Sequence, residues 1–298
     1  TRGSMSLSQK DGGLPPDEIV QDENTILKDC ERVINRYNNS NEGAMIQIAL
    51  SPCSPFSVTK SLMLQTAEMA KKYCVMTHTH LAETKDEELF CKNIFGLRPI
   101  DYLEEVGWLN EKTWLAHAIH LNKNEFEKVS KAKVGLSHCA SSNMILSSGV
   151  FNSLEAKNLN CKISIAVDGS ASNDHSSMIN ELRTAFLLQR LNFGAQITHL
   201  DILNWATKGG AEVLSRNDIG TLEVGKQADI AMFKLDDIRF SGADDAICAL
   251  ILCGAQKADM VFVAGKLVVE NGNLKYFDLE KHKYEHKKAC ERVKNETH

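Results

Sequence analysis

Short apolar, β-branched runs alternate with longer stretches of helical period from residue 17 to residue 193, and this alternation restricts the fold more than any other feature. Asp17–Asn38 reads as a helix with Ile19, Ile26, Leu27, Val33 and Ile34 on one side. A strand follows over Met45–Cys53, closed by Ser-Pro, then a helix over Lys60–Tyr73 and a strand over Val75–His80. Helical patterns cover Thr84–Phe95 and Pro99–Val106, and Thr113–Leu121 reads as a strand. Asn122–Lys133 is a polar helix that Asn122 can cap, with Glu125 three residues on. Strand Val134–Cys139, helix Phe151–Asn158, strand Lys162–Asp168 and helix Ile179–Phe193 complete the series, and a further strand is expected to end just before Ser4. Repeated βα units whose strands are continuously apolar imply a parallel sheet covered by helices.

The pattern changes near Asn217. IGTLEVGKQADIAMFKL and DMVFVAGKLVVENG are short strands broken by glycine turns, with an apolar helix over Ala243–Cys253 between them. The Lys/Glu/His-rich tail after Asp278 reads as a solvated helix. Composition excludes several classes. At 43% hydrophobic and 24% charged residues the 298-residue chain is globular rather than disordered or fibrous. A net charge of -5 without a basic block argues against a nucleic-acid partner. No run of 18 apolar residues is present to span a membrane, and the opening TRGSMSLSQKDGG lacks the apolar core of a signal peptide. None of the nine cysteines is paired as C-x-x-C, so scattered free thiols of a reducing, cytoplasmic compartment are expected.

The chemistry falls at strand ends. VMTHTH runs out in His78, His80 and then Glu83; TWLAHAIH carries His117 and His120; VGLSH ends at His138; ISIAVD ends at Asp168. In a (β/α)8 barrel that end of the strands is where active sites are built, and the intervals of 37, 21 and 30 residues between His80, His117, His138 and Asp168 suit units of about 31 residues. One histidine at a strand end is usually structural and one aspartate there often only caps a helix. Four strands repeating the pattern on one face are harder to explain that way. His78 and His80 point to the same side, and the Glu83 spacing favours His80 at the mouth. His120 would face away from His117 and is read as structural. Histidine and aspartate around an open position suit Zn2+, and Fe2+ or Mn2+ accept the same ligands. An unligated carboxylate such as Glu83 is what hydrolytic proton transfer requires.

These stretches resemble the amidohydrolase superfamily, in its metal-dependent deaminase and chlorohydrolase branch. The resemblance runs through HTHLAET, LAHAIH, SHCASSN and VDGSASND into IGTLEVGKQADIAMF and VFVAGKLVVENG, and covers the chain from Thr1 to about Leu274. RGSMSL, DGGLPPD and QIALSPCSPFSVT are similar to members that deaminate 8-oxoguanine. The resemblance implies a (β/α)8 TIM-type barrel lacking its first strands, with part of a small β-sandwich: residues 1–216 a partial barrel, 217–277 the partial sandwich, 278–298 a charged tail. It implies His80 and Asp168 as ligands of one Zn2+ per subunit, Glu83 as proton carrier, and His117 orienting the hydroxide or polarising the substrate. It also implies attack on an amino-bearing ring carbon, with 8-oxoguanine giving urate and ammonia. Guanine, isoxanthopterin, S-adenosylhomocysteine and s-triazines remain alternative substrates.

Cys53, Ser54, His138, Asn143 and Asn173 are expected around this small heterocycle, and a homo-oligomer is left open. The family carries a further His-x-His at the end of its first strand, whereas no His precedes His78 here. With the start at Thr1, this leads to the expectation of an N-terminally truncated chain, poorly active or inactive alone, from a deaminase. The contrary reading is a non-catalytic fragment or pseudoenzyme.

Three other signals are set aside. Gly220-x4-Gly225-Lys226 lacks the Ser/Thr and the helix of a phosphate loop. His282-x-x-Glu285-His286 matches an inverted zincin pattern but sits in a solvated helical tail. The sequons at Asn38 and Asn295 mean little without secretion.

Overall fold

The structure is a computed structural model that describes residues 2–255 and 257–296, so Thr1 and Thr297, the hydroxyl residue of the second sequon, lie outside the described residues. The chain divides into two compact units, Thr1–Thr221 and Leu222–His298. The first begins with β1 (Arg2–Ser4), α1 (Glu23–Tyr37), β2 (Ala49–Pro52), α2 (Lys60–Tyr73) and β3 (Met76–Leu81). Two helices, α3 (Lys85–Phe95) and α4 (Pro99–Glu105), lead to β4 (Thr113–His117), α5 (Lys123–Ala132) and β5 (Gly135–His138). Then come α6 (Ala140–Ile145), α7 (Ser153–Asn158), β6 (Lys162–Ile165), α8 (Met178–Phe193), α9 (His199–Ala206) and α10 (Lys208–Val213).

The six strands form one parallel sheet in chain order. Among the described residues the sheet is open, β1 and β6 each having one neighbour. Register sets His80 beside Ala116, Leu81 beside His117 and His138 beside Ile165, which brings the four polar strand ends into one row. Leu50, Leu115, Leu136 and Ile163 of the strands are buried with Leu62, Ile100, Leu103 and Phe126 of the helices. Each such side chain contributes about 1.5–3 kcal/mol when fully removed from water. Gly209 lets α10 lie against β6: a Cβ there would sit 2.1 Å from the Ile163 carbonyl oxygen.

Several elements are shorter than the sequence reading. The first helix starts at Glu23 rather than Asp17, because the Asp22 carboxylate accepts the N–H groups of Asn24 and Thr25 and caps it there. Pro15 and Pro16 precede only a single 3-10 turn over Asp17–Ile19. Residues 45–48 are not strand, and β4 ends at His117 rather than Leu121. Helices α6, α9 and α10 were not anticipated. The Asn122 cap is present as a full capping box: its side chain accepts the Glu125 N–H, and Glu125 accepts the Asn122 N–H.

The second unit contains β7 (Ile230–Met232), α11 (Ala246–Leu252), β8 (Met260–Val263), β9 (Lys266–Glu270), β10 (Asn273–Leu274) and α12 (Leu279–Glu296). Its strands form an antiparallel sheet in the order β10-β9-β8-β7. Ala264-Gly265 and Asn271-Gly272 both have positive φ at each residue, the two-residue hairpin geometry that glycine and asparagine favour. None of the described residues of α12 is buried, as a solvated helix requires.

Candidate active site

The backbone at the strand ends is unusual before any side chain is considered. Ala82 (φ 51°), His117 (φ 72°), Ala118 (φ 50°) and Asp168 (φ 64°) all lie in the left-handed region. Such conformations cost non-glycine residues about 1–3 kcal/mol and persist where the surroundings over-determine them. Here the Ala118 N–H donates to Leu81 O (3.0 Å), the His120 N–H to Ala82 O (2.9 Å), and the Gly169 N–H to Asp168 Oδ1 (2.7 Å). These reversals end β4 at His117 and aim the side chains that follow.

His117 is the centre of the arrangement and is 2% exposed. Its Nδ1 lies 2.9 Å from the Asn143 side-chain amide. Its Nε2 faces Glu83 Oε2 at 3.6 Å and Asp168 Oδ2 at 4.0 Å. His80 stacks on His117 with centroids 5.5 Å apart, and its Nδ1 donates to Cys53 O (2.6 Å). The bond makes Nδ1 the protonated nitrogen of the neutral ring, so Nε2 is the atom that can bind a metal once its own proton leaves. Asp168 Oδ2 accepts from the Ser142 hydroxyl (2.6 Å), and Glu83 Oε1 accepts from Ser148 Oγ (3.4 Å). Side chains from the ends of β3, β4 and β6 therefore meet at one point.

The electrostatics favour a cation. Burial opposes a charge on His80, yet the Cys53 thiol and carbonyl and the Glu83 carboxylate outweigh it and place its pKa at about 9. Against the cost of burial, the Ser142 hydroxyl, the Gly169 N–H and the two imidazoles hold the Asp168 carboxyl below its ordinary range. Burial holds His117 below its ordinary range. An environment that stabilises positive charge, with the His80 Nε2 aimed by the bond at Nδ1 and an oriented carboxylate nearby, fits a borderline divalent cation that takes the place of the ring proton. Donor atoms of His117, Cys139 and Asp168 also lie within 4.8 Å of one another. Burial pushes the Cys139 thiol well above its ordinary pKa, which opposes the thiolate a metal would need.

The remaining expected residues divide. Cys53 stands at the site, its Sγ 3.8 Å from His80 Nδ1, and helps line a cavity of about 510 Å³ with Met5, Gln21, Ser51, His78 and His80. His78 stacks on Trp114 at 4.7 Å, and burial followed by the neighbouring His80 charge lowers its pKa to about 4. His120 is tied to the protein itself, its Nε2–H donating to Ser148 O (2.9 Å). His138 is fully buried against Phe151, with Gln189 Nε2 3.2 Å from its Nε2. Ser54 shares its hydroxyl with Ser57 (2.7 Å), and Asn173 donates to Val167 O (2.9 Å) and Glu181 (3.1 Å). A larger cavity of about 650 Å³, lined by Ala67, Val75, Val106 and Trp108, lies at the opposite ends of β3 and β4 and has no histidine in its wall.

Several contributors escaped the sequence reading. Ser142 and Ser148 bind the two carboxylates directly. Glu87, fully buried on α3, accepts the N–H groups of Ala82 (2.7 Å) and Glu83 (3.1 Å). Glu181 on α8 accepts the Ser141 N–H (2.9 Å) and so ties α6 to the Asp168 loop through Asn173. The one legible signal was Thr84-x-x-Glu87, a spacing that normally announces a helix start and nothing more.

Comparison with known proteins places this geometry. The amidohydrolase family pattern matches residues 3–272. The 8-oxoguanine deaminase of Pseudomonas aeruginosa is 54% identical over 280 residues, which is 94% of this chain and 62% of that protein. Hydroxydechloroatrazine ethylaminohydrolase of Pseudomonas sp. (strain ADP) is 30% identical, over 93% of this chain and 58% of its own. The crystal structure of atrazine chlorohydrolase from Arthrobacter aurescens TC1 complexed with zinc matches with a TM-score of 0.90 at 31% identity, over 94% of this chain and 62% of that one. The chain thus spans about six tenths of the length of these relatives. Among the described residues no helix is long and apolar enough to cross a membrane.

Proposed function

The chain belongs to the amidohydrolase family, and from that premise we propose that it serves the hydrolytic deamination of 8-oxoguanine, substrate and water giving urate and ammonia. The observation that carries the proposal is the convergence at His117 Nε2, with Glu83 at 3.6 Å and Asp168 at 4.0 Å. The 54% identity to an 8-oxoguanine deaminase supports the choice of substrate. His80 and Asp168 would hold the metal, and the zinc in the related chlorohydrolase structure supports its identity. Zinc supplies Lewis acidity that makes water nucleophilic near neutral pH.

The protein's own groups then divide the work. Glu83 accepts a proton from the attacking water and passes it to the ring nitrogen beside the amino-bearing carbon. It carries the second water proton to the amine, so that neutral ammonia leaves. His117, its ring held by the Asn143 amide, offers Nε2–H to the oxygen being added. Ser142 and the Gly169 N–H keep the Asp168 carboxylate oriented. Cys53 forms wall beside His80, while Asn143 acts through His117; Ser54 braces the Cys53 turn through Ser57, Asn173 braces the Asp168 loop through Val167 O, and His138 is held by Gln189 away from the wall. We assign residues 1–216 to a partial (β/α)8 barrel, 217–277 to part of a β-sandwich and 278–298 to a charged tail; the parallel and antiparallel sheets support this division.

Two protein ligands hold a metal weakly, so slow, zinc-dependent urate formation is expected from the 298-residue chain. The test measures ammonia and urate with excess zinc, comparing 8-oxoguanine with guanine, isoxanthopterin, S-adenosylhomocysteine and s-triazines. Turnover of another heterocycle but not 8-oxoguanine would overturn the substrate; no turnover of any, with no zinc retained, would favour the non-catalytic reading.

A further inference from the structure

Glu87 is 0% exposed, is not one of the groups assigned to proton transfer, and has no cation bonded to it. It occupies the third position of α3, after the N-cap Thr84, whose side chain accepts the Glu87 N–H (3.3 Å). A glutamate there ordinarily closes a capping box by accepting the N–H of the cap residue itself, as Glu125 does with Asn122 at 2.8 Å. The bonds of Glu87 go elsewhere. Its two oxygens reach past Thr84 to the N–H groups of Ala82 and Glu83, at 2.7 and 3.1 Å. Those two residues form the turn out of β3, where Ala82 is left-handed. A buried carboxylate that leaves its own helix cap and grips this turn fixes the direction in which the Glu83 side chain departs. Burial raises the Glu87 pKa to about 7, the cost of placing the group there, and the nearby Glu83 charge adds to it.

We propose that Glu87 is a positioning residue that holds the Glu83 carboxylate against His117 Nε2. The role of Glu83 in proton transfer rests on the function proposed above; its placement by Glu87 does not. The Glu83–His117 contact of 3.6 Å has few other supports: Ser148 Oγ bonds the far oxygen at 3.4 Å. A displacement of about 1 Å at a reacting group costs on the order of 10²-fold in rate. Asp at this position is too short to span both N–H groups, and Gln would turn its NH2 towards one of them.

The test compares Glu87→Ala, Glu87→Gln and Glu83→Ala with the parent 298-residue chain, with Glu125→Ala controlling for loss of a buried helix-start glutamate. The 15N shifts of the His117 ring report whether a carboxylate stands beside Nε2, without requiring turnover. Glu87→Ala is expected to move them to the Glu83→Ala values, Glu87→Gln to move them part of the way, and Glu125→Ala to leave them at the parent values. In zinc-loaded protein kcat is expected to fall about 10²-fold in Glu87→Ala with KM within about twofold. Parent-like His117 shifts in Glu87→Ala, or in Glu87→Gln should the alanine variant not fold, would overturn the proposal. Absence of turnover in the parent would instead count against the proposed function, while the His117 shifts would still decide the role of Glu87.

Discussion

Two loops leave the same C-terminal end of neighbouring strands in the parallel sheet with a buried glutamate at the third position of the following helix, yet they use it differently. In the β4–α5 connection Glu125 accepts the Asn122 N–H and pairs with Arg98, whose Nη2 also donates to His120 O (3.0 Å). In the β3–α3 connection Glu87 forgoes the cap and holds Ala82 and Glu83. The first arrangement closes a helix and anchors a loop. The second spends a buried charge, with no cation bonded to it, on the direction of one side chain. The contrast teaches that identical sequence spacing serves stability in one place and site order in another, and that hydrogen-bond partners separate the two.

The largest effect that would sharpen this contrast is loss of the positioned group. Glu83→Gln keeps the shape and removes the proton carrier, so ammonia release is expected to fall about 10²–10⁴-fold with the melting temperature unchanged. Turnover within twofold of the parent would remove Glu83 from the chemistry. Next comes the Asp168 support. Ser142→Ala removes a 2.6 Å bond and is expected to weaken zinc retention, read by competition with a chromophoric chelator, about 10–100-fold. Zinc uptake near pH 7.5 should also release protons to a weak buffer, because the metal-free His80 holds one up to about pH 9.

Glu125→Ala lies on the other side of the comparison. It is expected to cost about 1–2 kcal/mol in a urea titration while kcat stays within about twofold. A large kcat loss there would erase the distinction between the two glutamates. The smallest effects are in the pH dependence of stability. His138, pushed down to about 3 by burial, stays neutral while the unfolded chain takes up a proton near pH 6.5, so stability is lost as pH falls below that value. Glu87, raised to about 7, acts oppositely: its contribution is full below about pH 4.5 and is lost as pH rises through 7. Urea midpoints at pH 5 and 8 should show His138→Gln flattening the loss towards acid and Glu87→Gln flattening the loss as pH rises through 7.

Much of the parallel sheet was legible because strand burial is written directly in continuous apolar runs such as ISIAV and VGLS. The candidate site was legible because His80, Glu83, His117 and Asp168 break those runs at one end. Strand length was less so. Thr113–Leu121 reads as extended throughout, but the left-handed turns at His117 and Ala118 end it early, and their cause is hydrogen bonding to Leu81 and Ala82, some 35 residues distant in sequence. Ser54 and Asn173 looked available from their positions and instead bond to Ser57, Val167 and Glu181.

The sequence by itself determined the βα alternation, the β-rich character of the appendage and the residue types that could carry hydrolysis, since periodicity and side-chain chemistry are local properties. Tertiary structure alone decided which atoms face one another: that Nε2 of His117 meets two carboxylates, that Cys53 O engages Nδ1 of His80 and so leaves Nε2 as its metal-binding atom, and that Glu87 grips a turn rather than its own helix. The physical reason is that register and loop reversal bring together groups from different strands, and no local pattern encodes the distances at which they meet.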